Sequence, residues 1–571
     1  MLIAPTVSRT TPGDCTWRRL EGKAITLLSL QAAVKTYGAR TILDGLDLEV
    51  PERARIGVIG PNGGGKSTLL RILAGIDEPD EGGIARKRGL TAAYMPQQVP
   101  PDPRTPREIV RAARPDLERI EGDLAECVTR LADPQLAHDL DRMERVLKRQ
   151  QQLLEAFDRA GGHAFEGSVQ TLLQGLGIGP DEVDAPSDVR SGGQRKLIAM
   201  AACLAREPDL LLLDEPETHL DAEARSRLEG VISDYDGAVV MVSHDRYLLD
   251  ETVSEIAELD HGRVRMWPGN YSAYATAREL ELQRQQQQYV TQQKEIARLE
   301  DAIRRFRHWA HLVVNERHIK QARNAQRRID RMDKIDRPVL ERRKMGLRLR
   351  SEQRGGQRVV ELRDASVELG GRTILRDVRL TIVRGERVGV IGDNGAGKSV
   401  LVKLLGGQLE PTAGERWIGP SISLGRLAQE HDSAVRTGTP LDAIRLQRPC
   451  TEGEAVQLLM RFLFTYEQVR QPIAKLSGGE RTRLELLLLM RSGSNCLILD
   501  EPTNHLDIDA VEVLEDAIER FDGTVIFVSH DRYFLDRIAD RIVEVRDGAA
   551  RASEGGYTAW LLQRGRGERV A

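Results

Sequence analysis

Short motifs in this chain return at fixed distances, and this repetition constrains the fold more than any property of composition. GPNGGGKS at 60–67 returns as GDNGAGKS at 392–399, SGGQ at 191–194 as SGGE at 477–480, and MVSHDRYLLD at 241–250 as FVSHDRYFLD at 527–536. Lys66 and Lys398 lie 332 residues apart, as do Gln97 and Gln429, whereas Ser191/Ser477, Asp214/Asp500 and His244/His530 are each separated by 286. Matches at two constant offsets describe a tandem duplication. The first copy carries the difference, 46 residues, between Gln97 and Ser191. There, LERIEGDLAECVTRL and RMERVLKRQQQLLEAF have helical periodicity, which predicts a helical insertion over about 105–175.

A length of 571 residues suits three to five domains at about 100–200 residues each. No run approaches the roughly 18 apolar residues of a membrane-spanning helix, which excludes a chain that carries its own channel. Residues 1–25 lack an apolar signal core and are predicted to be a disordered extension. Five scattered cysteines with no C-x-x-C pair indicate reduced thiols and a cytoplasmic protein.

The net charge of −4 hides an asymmetry. Residues 281–350 hold 19 Lys or Arg against 9 Asp or Glu, so this segment is +10 and the rest −14. Leu282, Tyr289, Ile296, Ile303 and Ala310 recur every seven residues, with Leu299 and Phe306 between them. Ala322, Ala325, Ile329 and Met332 continue at helical spacing before Pro338. This predicts an antiparallel coiled-coil hairpin turning at about His311–Arg317. Phe306 is expected in the hairpin core. The spacing of His308, His311 and His318, without a carboxylate cluster, argues against metal binding.

IGVIG followed by PNGGGKST is a β-branched run, a glycine-rich turn and a helical start, the context of a phosphate-binding loop. Gly60, Asn62, Gly63 and Gly65 in the first copy, and Gly392, Asn394, Gly395 and Gly397 in the second, let backbone N–H groups curl around phosphate oxygens. Lys66 and Lys398 reach for β- and γ-phosphates, with Thr68 beside the first loop. Ser67 and Ser399 are candidate Mg²⁺ ligands. LLLLDE and LILDE are apolar strands ending in paired carboxylates. Asp214 and Asp500 are expected to hold Mg²⁺, and Glu215 and Glu501 to polarise the attacking water.

Together with Gln97, Gln429, SGGQ/SGGE and the histidine of VSHDR, these elements resemble an ATP-binding cassette. Two such cassettes, a charged helical linker, EPTNHLD at 501–507 and SHDRYFLD at 529–536 resemble the ABC-F translational ATPases over roughly residues 26–563. The resemblance implies an α/β fold: cassettes at 26–275 and 356–563, a basic helical linker at 276–355 and a tail at 564–571. It implies head-to-tail pairing of the cassettes within a monomeric chain. One ATP site would comprise Tyr37, Lys66, Ser67, Gln97, Asp214, Glu215 and His244 with Ser477, Gly478, Gly479 and Glu480. The other would comprise Lys398, Ser399, Gln429, Asp500, Glu501 and His530 with Ser191, Gly192, Gly193 and Gln194. His244 and His530 would sense the γ-phosphate.

The same resemblance implies ribosome binding, with the linker near the P-site tRNA and the peptidyl-transferase centre, in a translation factor or an antibiotic-protection factor. Arg304, Arg305, Arg307, Lys320, Arg323, Arg327, Arg328 and Arg331 are candidate RNA-phosphate contacts. A DNA-associated double-cassette ATPase and the ATP-binding subunit of an ABC transporter are the alternatives. The short tail disfavours the first and the hairpin disfavours the second. The copies also differ: Leu369 stands opposite Tyr37, the adenine-stacking position, Glu217 and Thr218 opposite Thr503 and Asn504, and Arg190 opposite Leu476. Unequal hydrolysis at the two sites is therefore expected.

Overall fold

The computed structural model describes residues 25–38, 40–132, 139–312, 316–332, 356–427, 438–504 and 506–567. The expected extension (apart from Ile25), Gln429, Pro338 and the end of the tail lie outside the described residues.

The first copy has two sheets. β1 (Thr26–Tyr37) pairs antiparallel with β2 (Arg40–Pro51) and, after β3 (Arg55–Ile59), with β4 (Glu81–Arg86). The main sheet has the order β5 (Ala92–Met95), β6 (Leu210–Asp214), β7 (Ala238–Val242), β3, β8 (Glu255–Asp260) and β9 (Arg263–Pro268), parallel except for its last pair. The second copy repeats this with β10 (Arg358–Leu369), β11 (Arg372–Val383), β12 (Arg387–Ile391), β13 (Ala413–Ile418), β14 (Leu424–Leu427), β15 (Cys496–Asp500), β16 (Thr524–Val528), β17 (Arg541–Arg546) and β18 (Ala549–Glu554). Its sheet orders are β11–β10–β13 and β14–β15–β16–β12–β17–β18.

Every residue of β6, β7, β15 and β16 is buried, which explains their unbroken apolar runs. Side chains alternate between two cores. Leu210 and Leu212 face Leu69, Leu70 and Leu73 of the helix Lys66–Ala74, while Leu211 and Leu213 face the helix Gly192–Leu204. Because β3, β6 and β7 run parallel, their carboxyl ends open at one edge of the sheet. Chemistry gathers there.

In the first copy the helices Pro115–Leu131 and Leu140–Arg159 pack against each other between β5 and β6, within the expected insertion. The linker helix Tyr271–Leu312 has 42 residues, about 60 Å at 1.5 Å per residue. It starts before residue 276 because Tyr271 and Tyr274 are buried in the first cassette's core. The return helix Glu316–Asp330 packs beside it through Ile303, Ala322 and Ile329, with Leu299, Phe306 and Ala325 against them. Helical structure extends to Leu312 and resumes at Glu316, so it enters both ends of the segment expected to turn. None of the helices among the described residues is long and apolar enough to cross a membrane.

Candidate active sites

Each phosphate-type loop joins a buried strand to a helix whose first turn has no side-chain cap, which leaves its N–H groups facing the loop. Gly60 and Gly392 are required by close approach: φ is 149° and 150°, and a Cβ would meet Leu259 O at 2.2 Å and Val545 O at 2.4 Å. Lys66 Nζ donates to Gly60 O and Pro61 O at 2.8 and 3.1 Å. Lys398 Nζ donates to Gly392 O and Asp393 O at 2.7 and 3.1 Å. Burial pushes both ammonium groups below their usual pKa. Each ammonium is thus folded back over its own loop, with the carboxylates around it opposing the fall.

Asp214 ends β6 and accepts from Tyr94 Oη at 3.2 Å and from Ser67. Its Oδ1 is buried without a hydrogen-bond partner, and burial raises its pKa, as it does for Asp500. An orphaned carboxylate oxygen beside a serine hydroxyl fits a divalent cation. The next residue turns sharply: Glu215 and Glu501 hold φ of 47° and 50°, a left-handed conformation uncommon outside glycine. Their N–H groups donate to Val242 O and Val528 O at 2.9 and 3.0 Å, which locks each turn to the neighbouring strand.

That neighbour carries the histidine. Glu215 Oε1 lies 3.8 Å from His244 Nε2, and Glu501 Oε1 lies 3.5 Å from His530 Nε2. Burial, aided by the Lys66 charge, depresses the His244 pKa to about 3, and His530 is likewise held well below its ordinary value. Both rings are therefore neutral at physiological pH. Burial lifts the Glu501 carboxyl to about 7, with the Arg225 guanidinium opposing the rise. Both ring nitrogens of His244 and Glu501 Oε2 are buried without a hydrogen-bond partner.

Ser191 and Ser477 cap the helices Gly192–Leu204 and Gly478–Arg491. Gln194 and Glu480 complete reciprocal capping boxes with them, so these side chains are engaged within their own loops. The two cassettes meet face to face. A cavity of about 500 Å³ is lined by Tyr37, Asn62, Gly63, Gly65, Lys66, Ser67, Thr68, Gln97, Glu215 and His244 from the first copy and by Ser477, Gly478 and Gly479 from the second. A second, of about 640 Å³, joins Leu369, Asn394, Gly395, Gly397, Lys398, Ser399, Asp500, Glu501 and His530 to Ser191, Gly192 and Gly193. Gly60, Gly392, Asp214, Gln194 and Glu480 are not among the residues that line these two cavities.

Several groups reach across the seam at hydrogen-bond or ion-pair distance. Asn62 N donates to Asp507 Oδ2 (3.2 Å), Asn394 Nδ2 to His219 O (3.4 Å) and Arg225 Nη1 to His530 O (2.7 Å). Arg246 pairs with Glu515, and Arg532 with Glu229. The motifs did not point to Arg225 or Lys196. Reading the copies at the 286-residue offset would have, for it places Arg225 opposite Val511 and Lys196 opposite Thr482.

The fold and the paired cavities define a double-cassette nucleotide hydrolase, and comparison with known proteins gives its family. Models described as ABC transporter match residues 43–218 and 375–504, and a further model of that description, an extension, matches 257–349. The energy-dependent translational throttle protein EttA of Haemophilus influenzae is 36% identical over 528 residues, covering 91% of this chain and 92% of that protein. EttA of Escherichia coli is 34% identical over 532 residues with the same coverage. ABC transporter F family member 5 of Arabidopsis thaliana is 32% identical over 543 residues, 94% of this chain and 77% of that one. Among solved structures, RNase-L Inhibitor superposes with a TM-score of 0.56 at 19% identity, covering 94% and 93% of the two chains. This chain belongs to the ABC-F family of double-cassette ATPases, and it hydrolyses ATP.

Proposed function

We propose that this ATPase acts on the ribosome, where ATP-driven closure of its cassettes positions the basic linker near the tRNA and the peptidyl-transferase region. The observation that carries this reading is the pairing of each phosphate-type loop with the other copy's SGG turn in one cavity. ATP in such a cavity bridges the halves, and cleavage of the γ-phosphate removes part of the bridge. Lys66 and Lys398 take the phosphates, Ser67 with Asp214 and Ser399 with Asp500 hold Mg²⁺, and Glu215 and Glu501 polarise water. Neutral His244 and His530 lie beside the carboxylates as donors to the γ-phosphate. Bound Mg²⁺ would supply charge neutralisation of the phosphate oxygens. Gln97 lines the first cavity, where it is suited to the same cation or the attacking water.

The linker supports the ribosomal part. All eight candidate basic residues are exposed on the helices Tyr271–Leu312 and Glu316–Asp330 or just beyond, a pattern that suits a polyanion. The chain's relatives named translational throttle proteins match it nearly end to end. The test is the Glu215→Gln/Glu501→Gln variant, which should bind ATP without cleaving it and co-sediment with ribosomes in sucrose gradients only when ATP is present. An unchanged ribosome profile with and without ATP would refute the coupling. Protection from an antibiotic is the narrower form of this reading, measured as growth of an expressing strain under ribosome-targeting drugs.

A further inference from the structure

A chain of hydrogen bonds crosses between the cassettes and begins at a residue the second copy lacks. Glu217 is buried, and its Oε1 accepts from Ser243 Oγ at 2.7 Å, His244 N at 3.0 Å and Asp245 N at 3.4 Å. It thus holds the backbone of the whole His244 turn. Asp245 Oδ1 caps the next helix, accepting from Tyr247 N and Leu248 N at 3.0 and 3.1 Å. Its Oδ2 accepts from Arg225 Nη1 at 3.1 Å. The second proton of that nitrogen goes across the seam to the carbonyl of His530 at 2.7 Å. The Arg225 side chain is only 11% exposed and borders both cavities.

Two-fold symmetry would demand a second such chain running back, and the sequence breaks it. The corresponding residues are Thr503, Asp531 and Val511. Thr503 Oγ1 meets Ser529 Oγ at 3.4 Å, Asp531 Oδ2 accepts from Arg246 at 3.3 Å, and Val511 has no polar side-chain atom to carry a bond onward. Lys196 braces the Glu215–Thr218 turn, which carries Glu217, in the first copy alone. Its ammonium donates to Glu215 O at 2.6 Å and to Thr218 Oγ1, where the second copy has Thr482 bonded within its own helix.

We propose that Glu217, Asp245 and Arg225 are positioning residues that tie the His244 turn of one nucleotide site to the His530 turn of the other, through a path that has no counterpart on the other side of the pseudo-two-fold axis. This rests on the assignment of those two turns to the two ATP sites. A rigid hydrogen-bonded path between two turns couples them when each adopts different positions with and without γ-phosphate. The link ends on the backbone of the second site's histidine, so the second site depends on it more.

Site-resolved kinetics test this. In the Glu215→Gln background only the second site cleaves, and in the Glu501→Gln background only the first. Arg225→Val should lower second-site kcat about tenfold with KM changed by less than about threefold, and should lower first-site kcat several-fold less. Arg225→Lys, which keeps the charge and a donor, should restore at least about half of the loss. Glu217→Thr should also slow the second site, and its effect should not add to that of Arg225→Val, because the two act through one path. Equal losses at both sites, or additive effects of Glu217→Thr and Arg225→Val on the second, would overturn the link. Arg225→Lys and Glu217→Thr keep the test decisive if Arg225→Val folds poorly. Failure of the underlying assignment looks different: the Glu215→Gln/Glu501→Gln protein would then still cleave ATP at the parent rate.

Discussion

Arg246 and Glu515, from different cassettes, form a bidentate ion pair with N–O distances of 2.5 and 3.2 Å, and both side chains are almost wholly buried. The 286-residue offset maps this pair onto Arg532 and Glu229, which also meet, at 2.9 Å. The two pairs pin the cassettes on either side of the axis. They are not equal. Glu515 is fully enclosed and also receives Arg537 at 2.6 Å, where the first copy has Glu251, whereas Glu229 keeps 13% exposure.

Breaking the enclosed pair should therefore cost more. Removing Glu515 takes the bidentate partner from buried Arg246 and leaves it only Asp531 at 3.3 Å, and breaking a buried pair costs up to about 3–5 kcal/mol. Glu515→Ala is expected to lower the denaturation midpoint more than Glu229→Ala. Equal shifts in a urea titration would show that enclosure does not set the cost.

The buried histidines make stability pH-dependent. His244 has an unfolded pKa near 6.5 and a folded value of about 3 beside Lys66 and Glu215. A depressed folded pKa gives stability that is complete above 6.5 and is lost as the pH falls toward 3. The loss is at most about 1.4 kcal/mol per pH unit for each such ring. Without nucleotide, melting temperatures should fall between pH 7.5 and 5, and His244→Gln should fall less over that range. Parallel curves for the two proteins would contradict this.

Tyr37 lines the first cavity and Leu369 the second. A ring that stacks on a base contributes about 1–3 kcal/mol. Tyr37→Ala should weaken nucleotide binding at the first site by roughly tenfold or more, and Leu369→Tyr should tighten the second. Fluorescent ATP analogues titrated into single-site variants give both constants.

Replacing the eight exposed basic residues of the linker with alanine should weaken ribosome binding and flatten its salt dependence, since each lost phosphate contact lowers the slope of log K against log salt by about one. Arg304 and Arg328, which pair with Asp301 and Glu295, should contribute least. Filter binding at several salt concentrations reads the slope.

Much of this was legible in the sequence, because repetition is a one-dimensional property. The two offsets reported the duplication, the glycine loops and paired carboxylates followed from chemistry that needs those residues at that spacing, and the apolar runs before Asp214 and Asp500 marked strands buried on both faces. The heptad pattern likewise announced the packed helices of the linker. What no pattern along the chain could supply is contact across the seam. That Arg225 reaches the His530 carbonyl and that Arg246 meets Glu515 depend on how two folded halves face each other. Such pairs are separated by up to several hundred residues and have no spacing rule. Their distances, and the burial that shifts the pKa values of His244 and Glu501, exist only once the tertiary structure has closed around them.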